Sequence, residues 1–324
     1  MSTRKLKRIL TIVLLVMLGV AAAAGGAKLG QIYGSPLDND ASISAESVLD
    51  KINALAPKSK YNVLLMGTDA SGYLTDVMMI YQIDPQLKKV NVLSIPRDTR
   101  ILFNGRTEKI NAAHSYGKQI KLEDGSDRGD EYAIRAVKAL TGIPIHHYIC
   151  INTTAFRQVI DAIDGFDFDV PQDMDYDDDW QELHIHLKKG FQHLDGDKAE
   201  QLVRFRHYRD GDIDRVRVQQ DVLKALIKQK VKTTYLTQVG SIFSLILQNI
   251  DTDMSPSQAM GMASNILAAN GSEDGIQTYM IDGDFGNINK LSYWIPNMKL
   301  VEQRVAETFG YSKGQEIVPS REND

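Results

Sequence analysis

Between Tyr61 and Ile95 the chain carries three near-continuous apolar runs, "YNVLLMG", "DVMMIYQID" and "KKVNVLSI", with Pro85 between the second and third. A strand with one wet face alternates polar and apolar residues, so an unbroken apolar run needs cover on both faces. The last two runs read as a hairpin or close pair around Pro85. Helical patterns alternate with further strands downstream. "EYAIRAVKALTG" is amphipathic and stops at Gly142, and "TTAFRQVIDAIDG" ends at Gly165. "HYICIN" and "GIQTYMI" read as strands, and "FDFDV" alternates as a half-exposed strand does. "TQVGSIFSLILQNI" and "SPSQAMGMASNILAAN" complete the helical set. The alternation predicts a layered α/β domain with helices on both sheet faces, and the pattern gives no second domain and no internal repeat.

The amino-terminal segment obeys a different constraint. Arg4, Lys5, Lys7 and Arg8 precede an uncharged run from Ile9 to Ala27. As a helix, that run is about 28 Å long, close to the ~30 Å hydrocarbon core of a bilayer. The expected organisation is a cytoplasmic basic tail (1–8), a transmembrane helix (9–27), an extracellular spacer (28–58) and an extracellular domain (59–324). "AAAAGGA" also offers a cleavage site, and a cleaved signal peptide exports the remainder equally. The spacer holds one short helical pattern, "SAESVLDKINAL".

Charge narrows the function classes. Five of the 37 basic residues and none of the 42 acidic ones lie in the first 28 positions, so the remainder carries a net charge of −10. A general nucleic-acid binder needs a basic face that this balance does not supply. Any anionic ligand must be held by a local arginine cluster. The single cysteine, Cys150, excludes an intrachain disulfide framework and reads as a buried, inert thiol in "HYICIN".

Such a cluster is present. In "LDGDKAEQLVRFRHYRDGDIDRVRVQQDVLKALI", Arg204 and Arg206 are two apart and share a direction if the segment is extended. A helix expected from about Ile213 places Arg215, Gln219, Val222 and Leu226 on one inward face and turns Arg217 outward. Arginines converging at a helix amino terminus suit a phosphate or pyrophosphate, because backbone N–H groups and planar forks act together there. Asp69 follows the first strand, Asp76 opens the second, and Arg97 follows Pro96 at the next strand end. Two carboxylates at a sheet rim suit Mg²⁺ shared with substrate phosphates.

Other clusters carry less. Asp173, Asp175 and Asp177–Asp179 lack the glycine and glutamate spacing of a calcium loop and read as a solvated acidic loop. His184 and His186 share one strand face, but no third zinc ligand follows by spacing. The methionine-rich helix near Met260 reads as core, with the lining of a lipid tunnel as the alternative.

Taken together, "NVLLMGTD", "TDVMMIYQIDPQLKKVNVLSIPRDTR", "KINAAHSYG", "LDGDKAEQLVRFR" and "DGDIDRVRVQQ" resemble the LytR-CpsA-Psr family of cell-wall phosphotransferases over about residues 60 to 230. The resemblance implies a three-layer α/β/α sandwich with a mixed central sheet, preceded by one transmembrane helix. It implies transfer of an anionic glycopolymer, of teichoic acid or capsule type, from a polyprenyl-diphosphate carrier to a peptidoglycan hydroxyl. The lipid tail would lie in an apolar tunnel. Asp69 and Asp76 match the family's metal-associated aspartates, and Arg97 its "PRD" arginine. Arg204 and Arg206 match its "RxR" pair, and Asp212, Arg215 and Gln219 its "DxxR…Q" element. Asp76 and Asp212 are both candidates for general base. Thr75 and Val218 stand where the family often has arginine, and Arg217 does not replace the latter because it faces away. Hydrolysis of the same lipid diphosphates and a non-enzymatic regulatory role are the rival readings.

Overall fold

The computed structural model describes residues 57–69, 71–103, 105–179, 183–208, 212–230, 250–270 and 275–312. The basic tail, the run Ile9–Ala27, the spacer helix and "TQVGSIFSLILQNI" up to its last residue, Ile250, lie outside them. Among the described residues no helix is long and apolar enough to cross a membrane.

The three apolar runs form β1 (Tyr61–Thr68), β2 (Thr75–Asp84) and β3 (Lys89–Ser94). With β6 (His147–Asn152), β11 (Ile250–Thr252) and β12 (Ile276–Met280) they build a six-stranded sheet in the order β11-β6-β1-β2-β3-β12. Val63, Leu64, Met66, Ile80, Tyr81 and Val92 are almost wholly buried, as double cover requires. Four residues, Pro85–Lys88, join β2 to β3, a connection that only antiparallel neighbours can use. Asp84 caps that turn by accepting from the Leu87 amide at 3.0 Å.

Residues gather into two compact units. One comprises the described parts of Tyr61–Gln82, Leu93–Cys150 and the chain from Tyr279. It holds the hairpin β4 (Arg100–Phe103) and β5 (Arg106–Lys109), α1 (Ala112–Lys118) and α2 (Gly129–Thr141). Gly142 ends α2 at a φ of 72°, as the sequence predicts. A second hairpin, β13 (Gly283–Ile288) and β14 (Leu291–Pro296), turns through Asn289 and Lys290, both at positive φ. It is absent from the sequence expectation because "NK" is a weaker turn signal than Asn-Gly. The helix α2′s neighbour in sequence, "KINAAHSYG", also has a steric logic: a Cβ at Gly117 would collide with the Arg128 carbonyl.

The other unit holds the described parts of Ile83–Val92 and Ile151–Thr278. Here α3 (Thr153–Ala162) is capped by Asn152, which accepts from the Ala155 amide at 2.8 Å. An antiparallel pair follows, β7 (Phe166–Val170) with β10 (Gly190–Leu194), and between its strands in sequence lies the hairpin of β8 (Met174–Asp178) and β9 (Leu183–Leu187). The acidic stretch is therefore a hairpin, not a solvated loop. Met174, Leu183, Ile185 and Leu187 point inward, while Asp175 and Asp177 pair across strands with His186 and His184 at 2.7 Å each. Charge density masked the period-2 alternation that specifies the strands. The inward residues pack with α4 (Gly196–Arg204) and α5 (Asp212–Lys230) through Phe166, Leu202, Phe205, Val222 and Leu226. In α6 (Pro256–Asn270), Ala259, Met262, Ile266 and Ala269 are fully buried, so the methionine-rich helix is core.

In the first unit, α7 (Met298–Arg304) is anchored by Arg304, which donates to both Asp282 oxygens at 2.6 and 2.8 Å. Those bonds hold the Asp282 carboxyl below the usual carboxylate range. A depressed folded pKa stabilises above the unfolded value of about 3.9 and is lost as pH falls through the folded value. Asp282→Asn is expected to cost about 1 kcal/mol at pH 7, with the difference from wild type shrinking in urea titrations as pH falls below the unfolded carboxylate value of about 3.9.

Candidate phosphate and metal site

The Asp69–Asp76 loop is closed by its own backbone. The Asp69 amide donates to Leu74 O at 3.2 Å, and Gly72, at a φ of 72°, donates to Asp69 O at 3.0 Å. Asp69 Oδ1 accepts from Ser71 Oγ at 2.8 Å and from the Tyr73 amide at 3.2 Å. This holds both carboxylates at the ends of neighbouring strands. Asp76 accepts from Arg97 Nη1 at 2.7 Å, an ion pair with about a fifth of each side chain exposed.

The Pro96–Arg97 corner is stapled on both sides. Thr99 donates to Pro96 O through its amide at 3.0 Å and its hydroxyl at 2.6 Å. The "KIN" segment then pairs back: Ile110 donates to Thr99 O at 2.9 Å and Asn111 to Arg97 O at 3.2 Å. Asp98 lies 3.0 Å from Lys109 Nζ and 3.9 Å from Arg97 Nε. Sequence reading saw the arginine but missed that Thr99 and Asn111 fix its backbone. The oxygen-only donors Asp69 and Asp76, partly exposed on one closed loop, fit a hard divalent cation.

In the other unit, Arg204 is the last residue of α4, so Arg204 and Arg206 are not two positions of one extended strand. Phe205 between them is extended, buried and packed edge-on against Tyr208. Glu200, one helical turn earlier, accepts from Arg204 Nη1 at 2.7 Å and lies 3.2 Å from Arg157 Nε. Its i,i+4 spacing to Arg204 was a readable signal that sequence analysis passed over.

Arg215 lies in the first turn of α5 and is only 2 % exposed. Burying a guanidinium there is doubly costly, because the amino end of a helix is already positive. Val222 and Leu226 are buried on the same face, whereas Arg217 is 63 % exposed and pairs with Asp214 at 2.8 Å. The helical phase is as expected. Gln219 donates to Val203 O at 3.0 Å and thereby ties α5 to the end of α4. Burial pushes the Tyr208 hydroxyl pKa up, with Asp214 adding to this and Arg215 opposing it. Asp212 opens α5, and its side chain lies outside what is described. Thr75 is fully buried, and Val218 belongs to the core around Val222.

With this geometry in hand, similarity to known proteins is informative. The model of the LytR_cpsA_psr family matches residues 30–309, and the chain belongs to that family. A polyisoprenyl-teichoic acid–peptidoglycan teichoic acid transferase TagU of Bacillus cereus is 31 % identical over 270 residues, covering 78 % of this chain and 81 % of that protein. The crystal structure of Bacillus subtilis TagV superposes with a TM-score of 0.62 at 28 % identity, covering 79 % of this chain and 99 % of that one. A structure from Enterococcus faecalis described as a transcriptional regulator gives 0.63 at 25 % identity, covering 81 % and 91 %. The mixed α/β fold with a central mixed sheet is the one these relatives share.

Glu200→Ala removes the carboxylate that faces Arg204 inside the fold. It is expected to lower stability by about 1–3 kcal/mol in urea denaturation, while Arg217→Ala stays within about 0.5 kcal/mol of wild type.

Proposed function

We propose that the protein is a phosphotransferase of cell-wall assembly. It moves an anionic glycopolymer from a polyprenyl-diphosphate carrier to a peptidoglycan hydroxyl. The observation that carries this reading is the buried Arg215 in the first turn of α5, a place suited to a bound phosphate. The transferase names of TagU and TagV relatives point the same way.

The chemistry balances simply. The acceptor hydroxyl oxygen bonds to the sugar-side phosphorus, the bond to the bridging oxygen breaks, and polyprenyl phosphate leaves. The hydroxyl proton passes to an aspartate, Asp76 or Asp212. Arg97, Arg204, Arg206, Arg215 and Gln219 bind the diphosphate, and positioning with charge stabilisation supplies most of the rate. Asp69 and Asp76 would hold Mg²⁺, whose charge offsets that gathering on the departing phosphate. The domain is a three-layer α/β/α sandwich (59–324) whose lipid substrate reaches it from the membrane. A single helix (9–27) anchors it, with residues 1–8 in the cytoplasm and 28–58 as the extracellular spacer.

Two measurements test this reading. With defined lipid diphosphate, peptidoglycan oligomers and Mg²⁺, Arg215→Lys is expected to lose roughly ten- to a hundredfold in transfer rate, because an ammonium keeps the charge but not the planar fork. Release of free glycan phosphate with no acceptor product would favour the hydrolase reading instead. Protease added to intact protoplasts should remove the domain, and full protection would overturn the proposed topology.

A further inference from the structure

Among the described residues, one further cluster of potential metal ligands stands apart from these. His114 on α1, Asp130 in the first turn of α2 and Cys150 in β6 all belong to the same compact unit. Their ligand atoms lie within 4.8 Å of one another. His114 is 2 % exposed and Cys150 is buried. We propose that these three side chains bind a transition-metal ion of the zinc type, which pins the Asp69–Asp76 loop.

The tautomer of His114 is set by its surroundings. Nδ1 lies 2.9 Å from Tyr73 O, and a carbonyl only accepts, so Nδ1 carries a hydrogen. In the neutral ring Nε2 then presents a lone pair inward. Metal-binding histidines commonly have this arrangement, one nitrogen on a backbone carbonyl and the other on the ion. Nε2 stands 3.5 Å from Asp130 Oδ1, and that buried oxygen accepts no hydrogen bond. A proton on the ring would serve only this one long contact. A divalent cation serves the lone pair, the carboxylate and the sulfur together.

Distance and charge agree with such an ion. With bonds of about 2.1 Å, a tetrahedral ion separates its ligands by about 3.4 Å, close to the His114–Asp130 spacing. Binding releases the thiol proton to solvent. Carboxylate and thiolate then offset the cation's two charges, so the buried centre is neutral. Sulfur and imidazole favour zinc over magnesium, which separates this centre from the oxygen-only pair Asp69 and Asp76. Gly129 makes room for the ring, since a Cβ there would fall 2.9 Å from His114 Nε2. The nearby Lys118 ammonium is engaged by Asp127 at 3.2 Å. The ring fixed in this way holds the Tyr73 carbonyl, inside the loop that carries Asp69 and Asp76.

Cobalt(II) titrated into the purified full chain reports directly on the sulfur. About one equivalent should bind with a near-ultraviolet thiolate-to-cobalt charge-transfer band that zinc abolishes. Asp76→Asn should keep the band, and Cys150→Ser should lose it. Zinc at about a hundredfold over its dissociation constant should raise the Tm of wild type by about 5 °C and leave Cys150→Ser unchanged. Wild-type protein that binds no cobalt, or binds it without the band, overturns the proposal, and neither result depends on a variant folding.

Discussion

A guanidinium buried at the amino end of a helix calls for compensating negative charge, and Arg215 is such a group. Val222 and Leu226 fix the face of α5 that turns inward, and Gln219 locks that helix to the end of α4. Glu200 restrains Arg204 one turn from the same corner. Exposed Arg217, two residues on, needs none of this and pairs locally with Asp214. In a domain whose net charge repels anions, fixed local charge is the available way to collect a diphosphate.

The Asp69–Asp76 loop solves a related problem with opposite sign. Its two carboxylates are kept at strand ends by backbone bonds, and Arg97 neutralises Asp76 from a corner stapled through Thr99 and Asn111. Thr75, next to Asp76, and Val218, next to Gln219, are both buried.

Much of the fold was legible because its signals are local and redundant. Apolar runs specified β1 to β3, Gly142 ended its helix, and the 3.6-residue period placed Arg215 inward, while α3 stops at left-handed Asp164, one residue before the expected Gly165. Weaker elements were missed for definable reasons. The β8–β9 hairpin hides its alternation under five aspartates, and the β13–β14 turn uses Asn289 and Lys290, neither a glycine. At the candidate site, the helical phase of Arg215 was readable, but the backbone support of Arg97 was not. Thr99 and Asn111 act through backbone bonds to partners that no spacing rule names, and Arg204 proved to be a helix terminus, not part of a strand.

The central claim is phosphoryl transfer with polyprenyl phosphate as leaving group, and an isotope follows it most directly. A carrier labelled with ³²P only at the sugar-side phosphate is incubated with peptidoglycan oligomers and the full chain. Retention of the label in a phosphodiester on the oligomer, with unlabelled polyprenyl phosphate released, is the expected result. Label left on the lipid, or released as free glycan phosphate while the oligomer stays unlabelled, would contradict it.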